Sequence, residues 1–179
     1  LIKMNDSENR HKVGTKIRVL HWNILAKSLA EGFDGVSAEY LDWNYRYPLV
    51  VNKIKSFSPD IISLQEVEID QYSDLKKAFP DYLGIYTEKL KDGDDNGIDS
   101  NHGTAIFINK KFRLHEGHWK RLGGSQIFSS IIINHIDEPN KIILFGGCHL
   151  KAKPGFEMTR LGQVTNIHLF INKNFIRQK

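Results

Sequence analysis

Residues 60–64 (DIISL) are apolar at odd and even positions alike, and the run is too short for a helix. It reads as a short strand buried on both faces, running into Gln65 and Glu66. Ile142, Ile143, Leu144 and Phe145 form a second such run, followed by the stretch GGCHLKAKPG, residues 146–155. Around these two, periodicity predicts an alternation of strands and helices. Residues 16–25 (KIRVLHWNIL) alternate as a strand in their first half. Residues 46–57 predict a helix with Leu49, Val50, Ile54 and Phe57 on one face. Pro48 is tolerated in its first turn, and Ser58-Pro59 ends it. Residues 73–79 predict a second helix stopped by Pro80, and residues 104–108 (TAIFI) a strand. Residues 127–134 and 141–145 predict a hairpin across a turn at Asp137, Glu138, Pro139 and Asn140. Residues 157–172 close the chain as a helix with Leu161, Val164, Ile167, His168 and Ile171 as its apolar stripe. The expected fold class is α/β, built on a mixed or mostly antiparallel sheet with outer helices.

A chain of 179 residues suits one domain, and 40% hydrophobic with 26% charged residues is globular composition. Residues 1–15 read as a polar lead-in and residues 16–179 as the folded part. The net charge of +4, with a sequence pI near 9.1, mildly favours anionic partners and falls short of a nucleic-acid-binding stripe. One cysteine, Cys148, excludes an internal disulfide and a multi-cysteine zinc site, which points to a reducing, intracellular setting, cytoplasmic or mitochondrial. No apolar run approaches the length of a membrane span, so no membrane partner is expected.

Three of the expected strands end in a polar residue: Asn23 after Trp22, Glu66 after Gln65, and His149 after Cys148. Singly, each suits a turn or a solvated loop. Gathered on one rim of a sheet, they suit a metal–phosphate site. A carboxylate holds a hard cation such as Mg²⁺, while an amide and an imidazole donate to phosphoryl oxygens. Lys151 and Lys153 follow at the same edge, where an anion would meet them. Two other features carry less. Residues 92–103 (DGDDNGIDSNHG) nearly spell an EF-hand loop, but Gly103 stands where its bidentate Glu is required, so an acidic loop is expected. Gly123-Gly124 is an isolated pair, and a turn before a strand accounts for it.

The stretches VLHWNILAKSLAEG (19–32), PDIISLQEV (59–67), HGTAIF (102–107) and CHLKAKPGFEMTRLGQ (148–163), in this order, resemble the endonuclease/exonuclease/phosphatase superfamily. Within it they are most similar to the nocturnin branch, related to the carbon catabolite repressor deadenylases. The resemblance implies that Glu66 binds Mg²⁺, Asn23 contacts the scissile phosphate and His149 steadies the transition state. It implies that Lys89, Lys151, Lys153 and Arg160 contact substrate. Lys153 replaces an arginine of the branch, keeping charge while losing a planar fork. His102 replaces an aspartate, with no role implied. The family's later motifs, which supply the residues that activate water, have no counterpart before Lys179. The chain is therefore expected to be the N-terminal half of a four-layer α/β sandwich, inactive alone, whose partner half brings a second sheet. An uncovered apolar sheet face and self-association follow from that expectation. The implied activity is Mg²⁺-dependent removal of the 2′-phosphate of NADP(H). The alternatives are a 3′–5′ exoribonuclease acting on poly(A) RNA, and a non-catalytic half-domain that binds a partner.

Overall fold

The computed structural model describes residues 16–30, 32–90 and 98–176. Among these described residues, seven strands form two sheets. The first has the order β1 (Val19–Asn23), β2 (Ile61–Glu68), β4 (Ile98–Asn109), β3 (Tyr82–Leu90). The β1–β2 pair is parallel, with Asn23 opposite Gln65, and the other pairs are antiparallel. The second sheet is antiparallel: β5 (Phe112–Gly123), β6 (Gln126–His135), β7 (Ile142–Cys148). Helices α3 (Trp43–Phe57) and α4 (Ile69–Ala78) cover the outer face of the first sheet. Helix α5 (Glu157–Ile171) lies against β5. Short helices α1 (Lys27–Ala30) and α2 (Ala38–Leu41) fill the crossover between β1 and α3.

The doubly apolar runs are explained by two cores. Ile62, Leu64 and Phe107 face α3 and α4, where they meet Ile54, Leu75 and Phe79. Ile61, Ile106 and Ile108 point the opposite way, onto Phe112, Ile131 and Ile133 of the second sheet. Because side chains alternate across a strand, β2 must be buried on both faces to serve both layers.

This arrangement corrects one expectation: the chain contributes strands to both sheets, and those sheets already pack face to face. The exposed apolar groups include Val19 and Ile142 on edge strands, Leu49 and Phe57 on α3, and Met158, Leu161 and Leu169 on α5.

Several boundaries also move. α3 begins at Trp43, because the Asp42 carboxylate accepts from the Asn44 N–H (2.7 Å) and caps it there. Pro48 accordingly falls in the second turn. Val50, Val51 and Ile54 are buried, whereas Leu49 and Phe57, expected on the inner face, are exposed. α4 begins at Ile69, started by a capping box in which the Gln71 side chain accepts from the Glu68 N–H (2.9 Å). β1 is shorter than residues 16–25, ending at Asn23 before Leu25 adopts a left-handed φ of 61°. β4 is longer than residues 104–108 and takes up residues 98–103, expected as loop; residues 91–97 lie outside the described residues. β3 and β5, with no clean alternation, were not foreseen. Gly123 and Gly124 have positive φ in the β5–β6 turn, as a turn role requires.

α5 is rotated from its expected face. Gln163 is buried, and its Oε1 accepts from the Lys151 N–H (2.9 Å). Asn166 donates to the Leu122 carbonyl (3.1 Å), and Phe170 meets Phe128 and His118. Positions 163, 166 and 170 share one helical face. Leu161 and Val164 therefore point to solvent, as does His168.

Candidate active site

At the end of β2 the pairing with β4 shifts between Gln65 and Val67, and Glu66 is the extra residue of the bulge. Its φ is 54°, a conformation that a non-glycine residue adopts at a cost. Pairing then resumes with Val67, which faces the helix-side core. The bulge thus turns the Glu66 carboxylate out of the regular alternation and toward the rim of the sandwich.

β7 approaches the same rim from the second sheet, and its two glycines allow it to. A Cβ on Gly147 would lie 2.2 Å from Ser63 Oγ, and one on Gly146 would lie 2.3 Å from the Phe128 ring. Without side chains at 146 and 147, β7 packs down on β2 and β6 and delivers His149 above the bulge. His149 Nδ1 is 3.4 Å from Glu66 Oε1. The glutamate is nearly buried and the imidazole partly open.

Glu66 and His149 line a pocket of about 30 Å³ together with Lys89 of β3, His102 and Thr104 of β4, and Gln126 of β6. Gly103 holds β4 against β3 here, since a Cβ would meet the Thr87 carbonyl oxygen at 2.1 Å. Deeper in, Gln65 Nε2 lies 3.1 Å from Ser63 Oγ and 3.3 Å from His21 Nδ1. Burial, aided by the charge of His149, holds the His21 imidazole below its ordinary pKa. Burial likewise lowers that of His102, with Lys89 adding to the effect.

The structure therefore brings Glu66, His149 and Lys89 together. Asn23 lies one strand away, opposite Gln65, with its amide oxygen accepting from the Leu25 N–H (2.9 Å). Its backbone turn is fastened by Arg46, whose guanidinium donates to the carbonyls of Ile24 (2.7 Å), Leu25 (3.0 Å) and Leu41 (2.8 Å).

Lys151 and Lys153 follow His149 but do not line the pocket; Lys151 Nζ sits 5.1 Å from the Phe156 ring centroid. Arg160, expected at the substrate, is engaged otherwise. Its Nη1 donates to the carbonyls of Lys151, Ala152 and Lys153, and its Nη2 meets Glu157 at 2.8 Å. Through these carbonyl contacts it shapes the lysine loop. The residues that sequence reading missed are Gln126 and Thr104, which carry no signal before the strands are paired, and His102 as a pocket residue.

A divalent cation fits this rim in a limited sense. Glu66 supplies one hard carboxylate, and among the described residues no three His, Cys, Asp or Glu side chains are grouped to hold a metal. One carboxylate suits a cation that keeps water ligands and takes others from a substrate phosphate.

These features define a two-sheet α/β fold with a polar rim, and comparison with known proteins gives its family. The model of the endonuclease/exonuclease/phosphatase family matches residues 20–146, and the chain belongs to that family. It is 29% identical over 174 residues to nocturnin of Xenopus laevis, covering 90% of this chain and 44% of the relative. Human nocturnin is 31% identical over 163 residues, with 82% and 37% covered. The chain thus spans less than half the length of these relatives. Among solved structures, the human nocturnin catalytic domain with bound sulfate superposes with a TM-score of 0.71 at 26% identity, covering 88% of this chain and 58% of that one. ANGEL2, a 2′,3′-cyclic phosphatase, reaches 0.76 at 21% identity, covering 88% and 48%.

Proposed function

We propose that the protein is a Mg²⁺-dependent phosphoester hydrolase that removes the 2′-phosphate of NADP(H), with this chain supplying the metal- and phosphate-facing part of the site. The observation that carries this reading is the meeting of Glu66, His149 and Lys89 in one pocket, delivered by three strands of two sheets. Glu66 would hold the cation, which when bound draws charge from the phosphoryl oxygens. The Lys89 ammonium and the His149 imidazole then face an anion from the remaining sides. As negative charge spreads over the equatorial oxygens of the transition state, both bind it more tightly than the ground state. Asn23 supports the rim from β1, and Lys151 and Lys153 offer charge to more distant phosphates. A pocket this small suits a terminal phosphoryl group. The chain also has no run of aromatics interleaved with Arg of the kind a single-strand nucleic-acid groove prefers.

Relatives named as exoribonuclease subunits Ccr4 share 28–30% identity over 103 residues, which favours poly(A) as the second reading. Full-length gene product with Mg²⁺ is expected to release inorganic phosphate from NADPH, and Glu66→Gln to lower that rate by about 10²-fold or more, as removal of a transition-state charge contact does. Shortening of poly(A) without phosphate release would reverse the order of the two readings. Unchanged turnover and Mg²⁺ dependence in Glu66→Gln would reject the carboxylate as a metal ligand.

A further inference from the structure

His102 is out of place as a core residue. It is 6% exposed, and its Nδ1 is buried with no hydrogen-bond partner among the described residues. Several polar groups around it do find partners. Gln65 meets Ser63 and His21, Glu68 accepts from the Ser28 N–H (2.7 Å), and Thr87 and Ser129 bond to each other at 2.9 Å. An unmet buried nitrogen is destabilising, and an apolar side chain of similar size would avoid that cost.

The position gives the ring a purpose. On β4, His102 shares with Thr104 the face turned toward the second sheet, and it lines the pocket beside Lys89, Glu66 and His149. Gly103 ties its backbone to β3, so the residue cannot withdraw from the pocket. No hydrogen bond among the described residues holds Nδ1, so rotation about χ2, which exchanges Nδ1 for Cδ2, breaks none at that atom.

We propose that His102 is a ligand-contacting residue of this pocket, donating a ring N–H to a phosphoryl oxygen seated between Lys89 and the Glu66–His149 pair. The proposal rests on the phosphoesterase reading of the site and adds a contact to it. Lys89 supplies charge to the anion. The imidazole supplies direction, because its N–H lies in the ring plane and a half-turn about χ2 exchanges its edge atoms while keeping that plane.

The test uses inorganic phosphate and the full chain, labelled at the histidine ring nitrogens and assigned from single-residue variants. Saturation with phosphate is expected to shift the ring resonances of both His102 and His149. His102→Leu is expected to weaken phosphate binding about tenfold or more, the equivalent of one hydrogen bond to a charged group. The same variant is expected to melt at or above the wild-type temperature, because it removes an unmet polar atom. His102→Gln, which retains a donor, is expected to recover most of the affinity. Shifts at His149 with none at His102 would overturn the His102 contact while leaving the pocket's function standing. Silence at both histidines, with no phosphate binding, would overturn the contact and the phosphoesterase reading together. A His102→Leu variant that melts lower and binds phosphate as the wild type does would show His102 to be purely structural.

Discussion

The close approach of β7 to β2 can be tested at Gly147. In Gly147→Ala the new Cβ would sit 2.2 Å from Ser63 Oγ, 3.4 Å from Ser63 Cβ and 3.8 Å from Thr104 Cγ2. Only the first contact is impossible. If the Ser63 hydroxyl turns away, it gives up the bond from Gln65 Nε2, at a cost of about 1 kcal/mol. If it cannot turn, β7 must lift, and overpacking of that kind costs about 1–3 kcal/mol. The expected loss is therefore about 1–3 kcal/mol, or roughly 2–12 °C in Tm for a chain of this size. Ser63→Ala removes the offending oxygen and alone costs about 1 kcal/mol through Gln65. In the double variant the hydrogen bond is already gone and the remaining Cβ–Cβ distance is tolerable. Losing the backbone freedom of glycine in the unfolded chain returns about 0.4–1 kcal/mol. The pair should then be more stable than the sum of the two losses by about 1–3 kcal/mol, read from urea melts of all four proteins in a double-mutant cycle. Additive losses, or a Gly147→Ala protein that melts with the wild type, would refute the packing described for the strand that carries His149.

Stability should also depend on the two buried imidazoles, His21 and His102, whose folded pKa values lie below the ordinary histidine value of about 6.5. As pH falls below that value the unfolded chain takes up protons first, so their contribution, full above it, is lost as pH falls through the folded values. Urea midpoints measured from pH 7.5 to 5 should decline, and His102→Gln should flatten the decline. Arg46→Met removes the donor to two carbonyls of the β1–α1 turn and one at the end of α2, and should cost roughly 2–4 kcal/mol in urea denaturation, with Lys restoring only part. A loss under about 0.5 kcal/mol would place that turn's stability elsewhere. Exposed Met158, Leu161, Val164 and Leu169 on α5 should drive concentration-dependent self-association of the 179-residue chain. Sedimentation velocity should show it, and Leu161→Glu with Leu169→Glu should abolish it; a wild-type monomer at all concentrations would count against it.

The strands most legible in the sequence were those with the simplest patterns. Residues 60–64 meet β2 from Ile61 onward, and 104–108 and 127–134 sit inside β4 and β6, because continuous apolar character demands burial on both faces. β3 and β5 escaped notice because edge strands alternate poorly: Glu88, Arg113, Glu116 and Lys120 face solvent at positions that carry no core signal. The rim residues were legible as polar interruptions after apolar runs, at Glu66 and His149, although a sequence cannot say that two such interruptions 83 positions apart will face each other. Arg160 drew notice by its charge alone, and only the fold shows that its Nη1 also holds three carbonyls of the loop before it.

What residue order alone determined was the division of the chain into segments that must be buried, capped or turned. Those properties follow from each side chain's affinity for water and from backbone sterics within a few residues. The tertiary structure alone decided that both sheets arise from this one segment, that Glu66 leaves the strand through a bulge, and that α5 turns Gln163 inward and its leucines outward. Each of these depends on which distant surface an element meets, and an element with two apolar or two polar faces fits more than one surface until its partner is in place.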